Sequence, residues 1–181
     1  MQVVEPIRKL EDIEKIKDIL SNQSRRNYLL FELGINTGLR ISDILKLRVE
    51  DVIHKKYIEI QEQKTKKMRK ILISKSIKKI INKYIKNKPS KDYLFPSRKG
   101  HNPISRVQAY RIINNVCNLV KIKEKIGTHT LRKTFGYHFY KQTKDIALLQ
   151  NILNHSTPNV TLRYIGVTQD IIDDSLKTFT L

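Results

Sequence analysis

Between Val49 and Ser74 the apolar residues of this 181-residue chain leave the three- and four-residue spacing they keep elsewhere and alternate with polar ones. YIEIQ (57–61) sets Ile58 and Ile60 among polar neighbours, and RKILIS (69–74) repeats the pattern with Ile71 and Ile73. The polar EQKTKKM (62–68) between them has the composition of a turn, so the stretch reads as a β-hairpin. Everything around it has helical periodicity. Residues 10–21 place Leu10, Ile13, Ile16, Ile19 and Leu20 near one face, 24–36 begin at Ser24 and end toward Gly38, and ISDILKL follows Arg40. Further helical segments lie near 75–87, 103–121, 129–141, 145–153 and 158–164, with breaks at Lys88-Pro89-Ser90, Phe95 to Pro103, Gly127 and Thr157-Pro158. The expectation is a mainly α fold with one small antiparallel β-sheet.

The length fits a single domain with a sizeable core. Cys117 is the only cysteine, which excludes an intramolecular disulfide and suits a reducing cytoplasm, and the richness in Lys, Ile and Asn suggests an AT-rich bacterial or phage genome. The context of Cys117, NNVCNLV, places it on a helix face as a core residue. No apolar run approaches a membrane span, and MQVVEPIRKLEDIEK lacks the apolar stretch of a secretion signal. Charge is the informative part of the composition. Lysine and arginine number 36 against 17 acidic residues, a net +19. Such an excess calls for a polyanion, and without an apolar, aromatic-rich helix face to suit a membrane surface the favoured partner is nucleic acid.

Six residues carry the chemistry: Arg40, Lys64, His129, Arg132, His155 and Tyr164. Two guanidiniums, two imidazoles, an ammonium and a phenol suffice to hold a phosphodiester, neutralise its transition state and attack it, with no metal or cofactor called for. Arg40 precedes Asp43 by three residues at a helix start, so Asp43 can orient Arg40 or brace the adjoining turn. His129 and Arg132, also three apart, share a helix face, with Gly127 before them, Thr128 as N-cap and Leu131, Phe135 and Phe139 as the anchoring face. Each has an ordinary reading when taken singly. Arg40 would be a surface arginine, His155 a partner for a helix dipole, Tyr164 a packing residue, and Lys64 one solvated charge beside Lys66, Lys67 and Lys70.

Taken in order, the segments TGLRISD, the lysine followed by threonine at Lys64, HTLR, LNHS and the RY of VTLRYIG resemble the catalytic domain of the tyrosine recombinases, the phage integrase family. The resemblance runs from about residue 8 to the end of the chain. It implies a DNA recombinase in which Tyr164 forms a 3′-phosphotyrosyl link. Arg40, Arg132 and His155 would hold the non-bridging oxygens, His129 would manage the tyrosine proton, and Lys64 would protonate the leaving oxygen. Asn154 stands where the family usually has glycine, and Lys133 where a histidine is common. Asparagine tolerates left-handed backbone angles, and Lys133 would add a cation beside the phosphate.

The same resemblance implies one catalytic domain over residues 1–181, without the amino-terminal domain that completes the family's clamp on DNA. Arg25, Arg26, Lys46 and Arg48 are expected along the DNA backbone, and Arg106, Gln108 and Arg111 on a groove-facing helix. In the tail, Ile172, Leu176 and Phe179 form a stripe that either packs at home or inserts into a second copy on DNA, and a full-length recombinase is a further candidate partner. The alternatives are a type IB topoisomerase-like nicking-closing enzyme and a non-catalytic DNA-binding remnant of a mobile element.

Overall fold

Ser24 ends one helix and starts the next. In the computed structural model, which describes residues 4–98 and 102–166 together with Leu176, Lys177 and Phe179, α1 (Leu10–Gln23) stops at this extended residue. Its hydroxyl then accepts the Asn27 amide to cap α2 (Arg25–Thr37). Ile13, Ile16 and Leu20 face inward from α1 as their spacing predicts, whereas Leu10 is exposed at the helix start. α2 carries Leu29, Leu30, Phe31 and Leu33 into the interior. It ends at Gly38, whose φ of +63° is left-handed and where a Cβ would lie 2.6 Å from the Phe135 ring.

The next helix, α3 (Ile41–Ile44), is a single turn and shorter than ISDILKL suggested. Val49 to Asp51 are not extended either. They form one 3-10 turn, because the Asp51 carboxylate accepts the Arg48 amide at 2.7 Å and closes the chain on itself. Strand character begins only at Tyr57. β1 (Tyr57–Gln61) and β2 (Met68–Leu72) pair antiparallel, Tyr57 opposite Leu72 and Gln61 opposite Met68. Ile73 and Ser74, expected in the second strand, lie beyond it: Ile73 enters the core and Ser74 caps α4 (Lys75–Ile85).

The helix expected from residue 103 starts at Arg106, since Ile104 donates its amide to Phe95 O and Pro103 pairs with Pro96. Ser105 then caps α5 (Arg106–Leu119), whose inner face includes the fully buried Cys117. Burial pushes that thiol up to about 12, which makes it an inert core residue.

α6 (Thr130–Thr143), α7 (Ile146–Leu153) and α8 (Pro158–Ile165) complete the described fold. Thr128 does not cap α6. His129 occupies the cap position without a side-chain bond, and the Thr130 hydroxyl accepts the Gly127 amide at 3.0 Å. α6 lies where two apolar clusters meet: Leu131 packs with α1 and α5, while Phe135 and Phe139 pack with Leu149, Leu153 and Ile165.

Residues 4–8 run across α6 as a strap. Ile7 donates its amide to Thr134 Oγ1 and accepts from His138 Nε2, both at 2.9 Å. Arg8 pairs with Glu5 at 2.8 Å and donates to Gly166 O, just past the end of α8.

Gly136 sets the spacing of α6 and α8. A Cβ there would meet Ile165 Cγ2 at 2.6 Å and Leu153 Cδ1 at 3.4 Å. Gly→Ala inside a helix ordinarily stabilises by up to about 1 kcal/mol. Gly136→Ala should instead destabilise by about 1–3 kcal/mol through overpacking, measured by denaturant unfolding. A variant more stable than the parent would show that the two helices are not held at this distance.

Candidate active site

Glu62, at the head of the hairpin turn, is completely buried. Its carboxylate lies 2.7 Å from Arg40 Nη1, 3.1 Å from Arg69 Nη1 and 3.9 Å from Arg132 Nη1, and it accepts the Thr65 hydroxyl at 2.7 Å. Burial alone would raise its pKa. The hydrogen bonds from Thr65, Arg40 and Arg69 overcome that and hold it at about 2. Sequence alone does not single out Glu62, because it opens a polar stretch with the composition of an exposed turn. The available signal was a single acid leading a segment with five lysines and arginines (64–70).

Arg132 is 2 % exposed and is held by its surroundings. One nitrogen donates to Gly38 O at 2.6 Å and another to Leu153 O, which ties the ends of α2 and α7 to α6. Burial lowers even this guanidinium to about 10.

The Asp43 carboxylate does not pair with the Arg40 guanidinium; the two residues are joined only through the backbone, where the Asp43 amide donates to Arg40 O at 2.9 Å. Asp43 is buried, and its Oδ1 accepts the Gln63 amide at 3.0 Å, so it braces the hairpin turn behind the arginine. Arg40, Lys64, Arg106 and His129 line one cleft of about 330 Å3 together with Ile41, Ser42 and Gln63.

The four lysines of the hairpin have distinct positions. Lys70 pairs with Glu59 at 3.0 Å, Lys67 donates to Asn154 Oδ1 at 3.1 Å, and Lys66 holds the left-handed turn position with φ 58°. Lys64 is the one among them that lines the cleft.

His155 follows the αL residue Asn154 (φ 54°) at the end of α7, and its carbonyl accepts the Gln150 side chain. Its Nδ1 lies 3.1 Å from Thr161 Oγ1 on α8, and its ring meets that of Tyr164 edge-on at 4.8 Å. Burial first, then Arg132 and Arg40, lower its pKa to about 4. His129 is lowered by partial burial and by Arg132, Arg106, Arg40 and Lys133. Both imidazoles are therefore neutral near pH 7. Tyr164 Oη lies 3.4 Å from His129 Nδ1. Burial raises the phenol, and Arg132 and Arg40 partly offset that. The structure thus draws all six residues named from sequence toward one region.

The expected DNA contacts are placed less uniformly. Gln108 and Arg26 share a groove of about 560 Å3 with Arg98 and Ser105, next along α5 from the cleft. Arg26 also donates to Pro96 O at 2.8 Å. Arg25 lines a different groove with Tyr28, Lys79 and Tyr84. Arg48 stacks on Tyr93 at 4.3 Å and donates to Lys91 O. Lys46 and Arg111 are exposed. Lys133 is buried, with its ammonium 5.4 Å from the centre of the Tyr164 ring. In the tail, Leu176 and Phe179 are exposed, and Ile172 lies outside the described residues. No described helix is long and apolar enough to cross a membrane.

The pKa shifts fix two pH windows. His155 titrates at about 4 in the fold and about 6.5 when unfolded, so its contribution is complete above pH 6.5 and is lost as pH falls toward 4. Glu62, depressed to about 2 from 4.5, contributes above pH 4.5 and loses that between pH 4.5 and 2. Unfolding free energy measured from pH 7.5 to 3 should fall in both windows. His155→Gln should flatten the upper one. Glu62→Gln should flatten the lower one and cost on the order of 3 kcal/mol at pH 7 by leaving the guanidiniums uncompensated. Unchanged profiles in both variants would remove these residues from the pH response.

Comparison with known proteins agrees with the geometry. The model of the Phage integrase family matches residues 9–170. The chain is 53 % identical to the probable integrase/recombinase YoeC of Bacillus subtilis, over 99 % of its own length and 98 % of that protein. It is 31 % identical to a tyrosine recombinase of Pseudothermotoga lettingae, over 92 % of its own length, and spans only 58 % of that relative. The crystal structure of XerA recombinase superposes with a TM-score of 0.80 at 20 % identity, covering 98 % of this chain and 65 % of that one. A lambda integrase dimer bound to a COC′ core site gives 0.71 at 18 % identity, covering 91 % of this chain and 60 % of that one. At those identities the structural likeness speaks for the fold.

Proposed function

The chain belongs to the phage integrase family, and from that premise we propose that it cleaves and rejoins strands of double-stranded DNA, with Tyr164 as nucleophile and residues 1–181 acting as one catalytic domain. The observation that carries the reading is the approach of the Tyr164 hydroxyl to a neutral His129 at 3.4 Å, beside Arg132.

In the proposed reaction a scissile phosphate occupies the cleft between Arg40, Lys64 and His129. Arg40 and Arg132 meet the charge that grows on its non-bridging oxygens. Burial and the neighbouring guanidiniums keep His155 neutral near pH 7, and an anionic phosphate among these cations favours its protonated, donating form. His129 accepts the Tyr164 proton as Oη attacks phosphorus. The bond to the 5′ oxygen breaks, and the Lys64 ammonium gives that leaving oxygen its proton, releasing a 5′-hydroxyl. One phosphate ester replaces another, so a 5′-hydroxyl reverses the step without ATP.

The exposed Leu176 and Phe179 support a tail that contacts a second copy on DNA. Lambda integrase, similar in fold, is a tetramer on a Holliday junction, and we extend such assembly to this chain. Gln108 and Arg26, in the groove beside the cleft, are suited to contacts with the flanking duplex.

Nicked suicide duplexes made from the DNA flanking its gene test the reading. Wild-type protein should form a covalent adduct resistant to denaturing electrophoresis, and Tyr164→Phe should form none. No adduct on any duplex sinks strand cleavage, and an adduct that survives Tyr164→Phe sinks the assignment of the nucleophile. Adducts that never join a second duplex would favour a topoisomerase-like enzyme.

A further inference from the structure

We propose that Asn154 is a positioning residue that latches the Lys64 hairpin to the turn carrying His155. The proposal rests on the strand-cleavage reading above, because its purpose is to hold Lys64 where a leaving oxygen would need it.

The hairpin is two-stranded, and its β2 edge exposes Met68 and Leu72, so sheet pairing alone leaves the tip weakly constrained. At the near side Asp43 holds the Gln63 amide and Arg40 holds Glu62. At the far side, among the described residues, the hydrogen bonds from residues 64–67 to any other element all go to Asn154. Lys67 Nζ donates to its Oδ1 at 3.1 Å, and its Nδ2 donates to Thr65 Oγ1 at 3.3 Å and Glu62 Oε2 at 3.4 Å.

The partners fix the amide's orientation. An ammonium can only donate, and the ionised Glu62 carboxylate can only accept, so the oxygen must face Lys67 and the nitrogen must face Glu62. A neutral amide meets both demands, whereas a carboxylate at 154 would face Glu62 with like charge. Lys64 lies between the near and far attachments. The latch restricts the arc through which its flexible side chain swings across the cleft, and its other end is the peptide that leads into His155.

The backbone at Asn154 makes a clean test possible. Its φ of 54° and ψ of 46° are left-handed, which glycine adopts freely, so Asn154→Gly removes the latch and leaves the turn intact. Two measurements on the full chain decide the matter.

Without DNA, amide exchange over residues 62–68 should rise at least severalfold in Asn154→Gly and in Asn154→Asp, while α7 is unchanged. Unaltered exchange overturns the latch whatever the activity. With DNA, adduct formation is followed on ordinary suicide duplexes and on duplexes with sulfur in place of the bridging 5′ oxygen, since a thiolate departs without a proton. Asn154→Gly should be about tenfold slower than wild type on the oxygen substrate, a fraction of the full general-acid effect, and equal to wild type on the sulfur substrate, as Lys64→Ala should be. Equal slowing on both substrates, or none on either, overturns the positioning role. If wild-type protein forms no adduct on either substrate, the strand-cleavage reading fails and takes the positioning role with it, and the exchange result then judges the latch alone.

Discussion

One buried carboxylate organises this molecule. Glu62 has no exposed surface, and the guanidiniums of Arg40, Arg69 and Arg132 converge on it from α3's entry, β2 and α6. In a chain of net charge +19, cations placed this close would otherwise repel one another and turn toward water. The acid holds them together, so their arrangement is set by folding. A buried acid that is fully hydrogen-bonded is stable in such a place, and one that lost its partners would not be. Fold and site are thus coupled through one residue, and Arg132 extends the coupling by bonding the carbonyls at the ends of α2 and α7.

Much of the architecture was legible before the structure because its signals are local. Ser24 announces α2, the alternation of YIEIQ announces β1, and Thr157-Pro158 announces α8; each is a matter of a cap, a period or a fixed φ. The errors occur where distant contacts override such patterns. Ile73 looks like a strand residue and serves as a core plug, Val49 looks extended and sits in a turn closed by Asp51, and Pro103 and Ile104 pair with a loop ahead of their helix. The chemistry followed the same division. Arg40, His129, Arg132, His155 and Tyr164 have recognisable neighbours in sequence. Glu62 has only the basic run after it, since burial of this acid depends on Arg40 and Arg132 folding in from distant segments as well as on Arg69 across the hairpin.

Beside its guanidiniums the site keeps its titratable rings uncharged. His129 and His155 are both driven toward neutrality, and Tyr164 keeps its proton more tightly than a free phenol. These shifts share one cause: burial disfavours charge, and nearby guanidiniums disfavour further positive charge. An anion in the cleft reverses the second influence for each histidine.

The strap of residues 4–8 has a mechanical meaning. Arg8, from one end of the described fold, holds the carbonyl of Gly166, two positions beyond the tyrosine, while Ile7 is fastened to α6 at Thr134 and His138. Residues more than one hundred and fifty positions apart thus share a fixed point behind α8. Arg8 and Ile7 thereby fasten the segment leading into α1 both to α6 and to the turn that follows α8, so the end of the helix carrying Tyr164 is anchored from outside its own packing cluster.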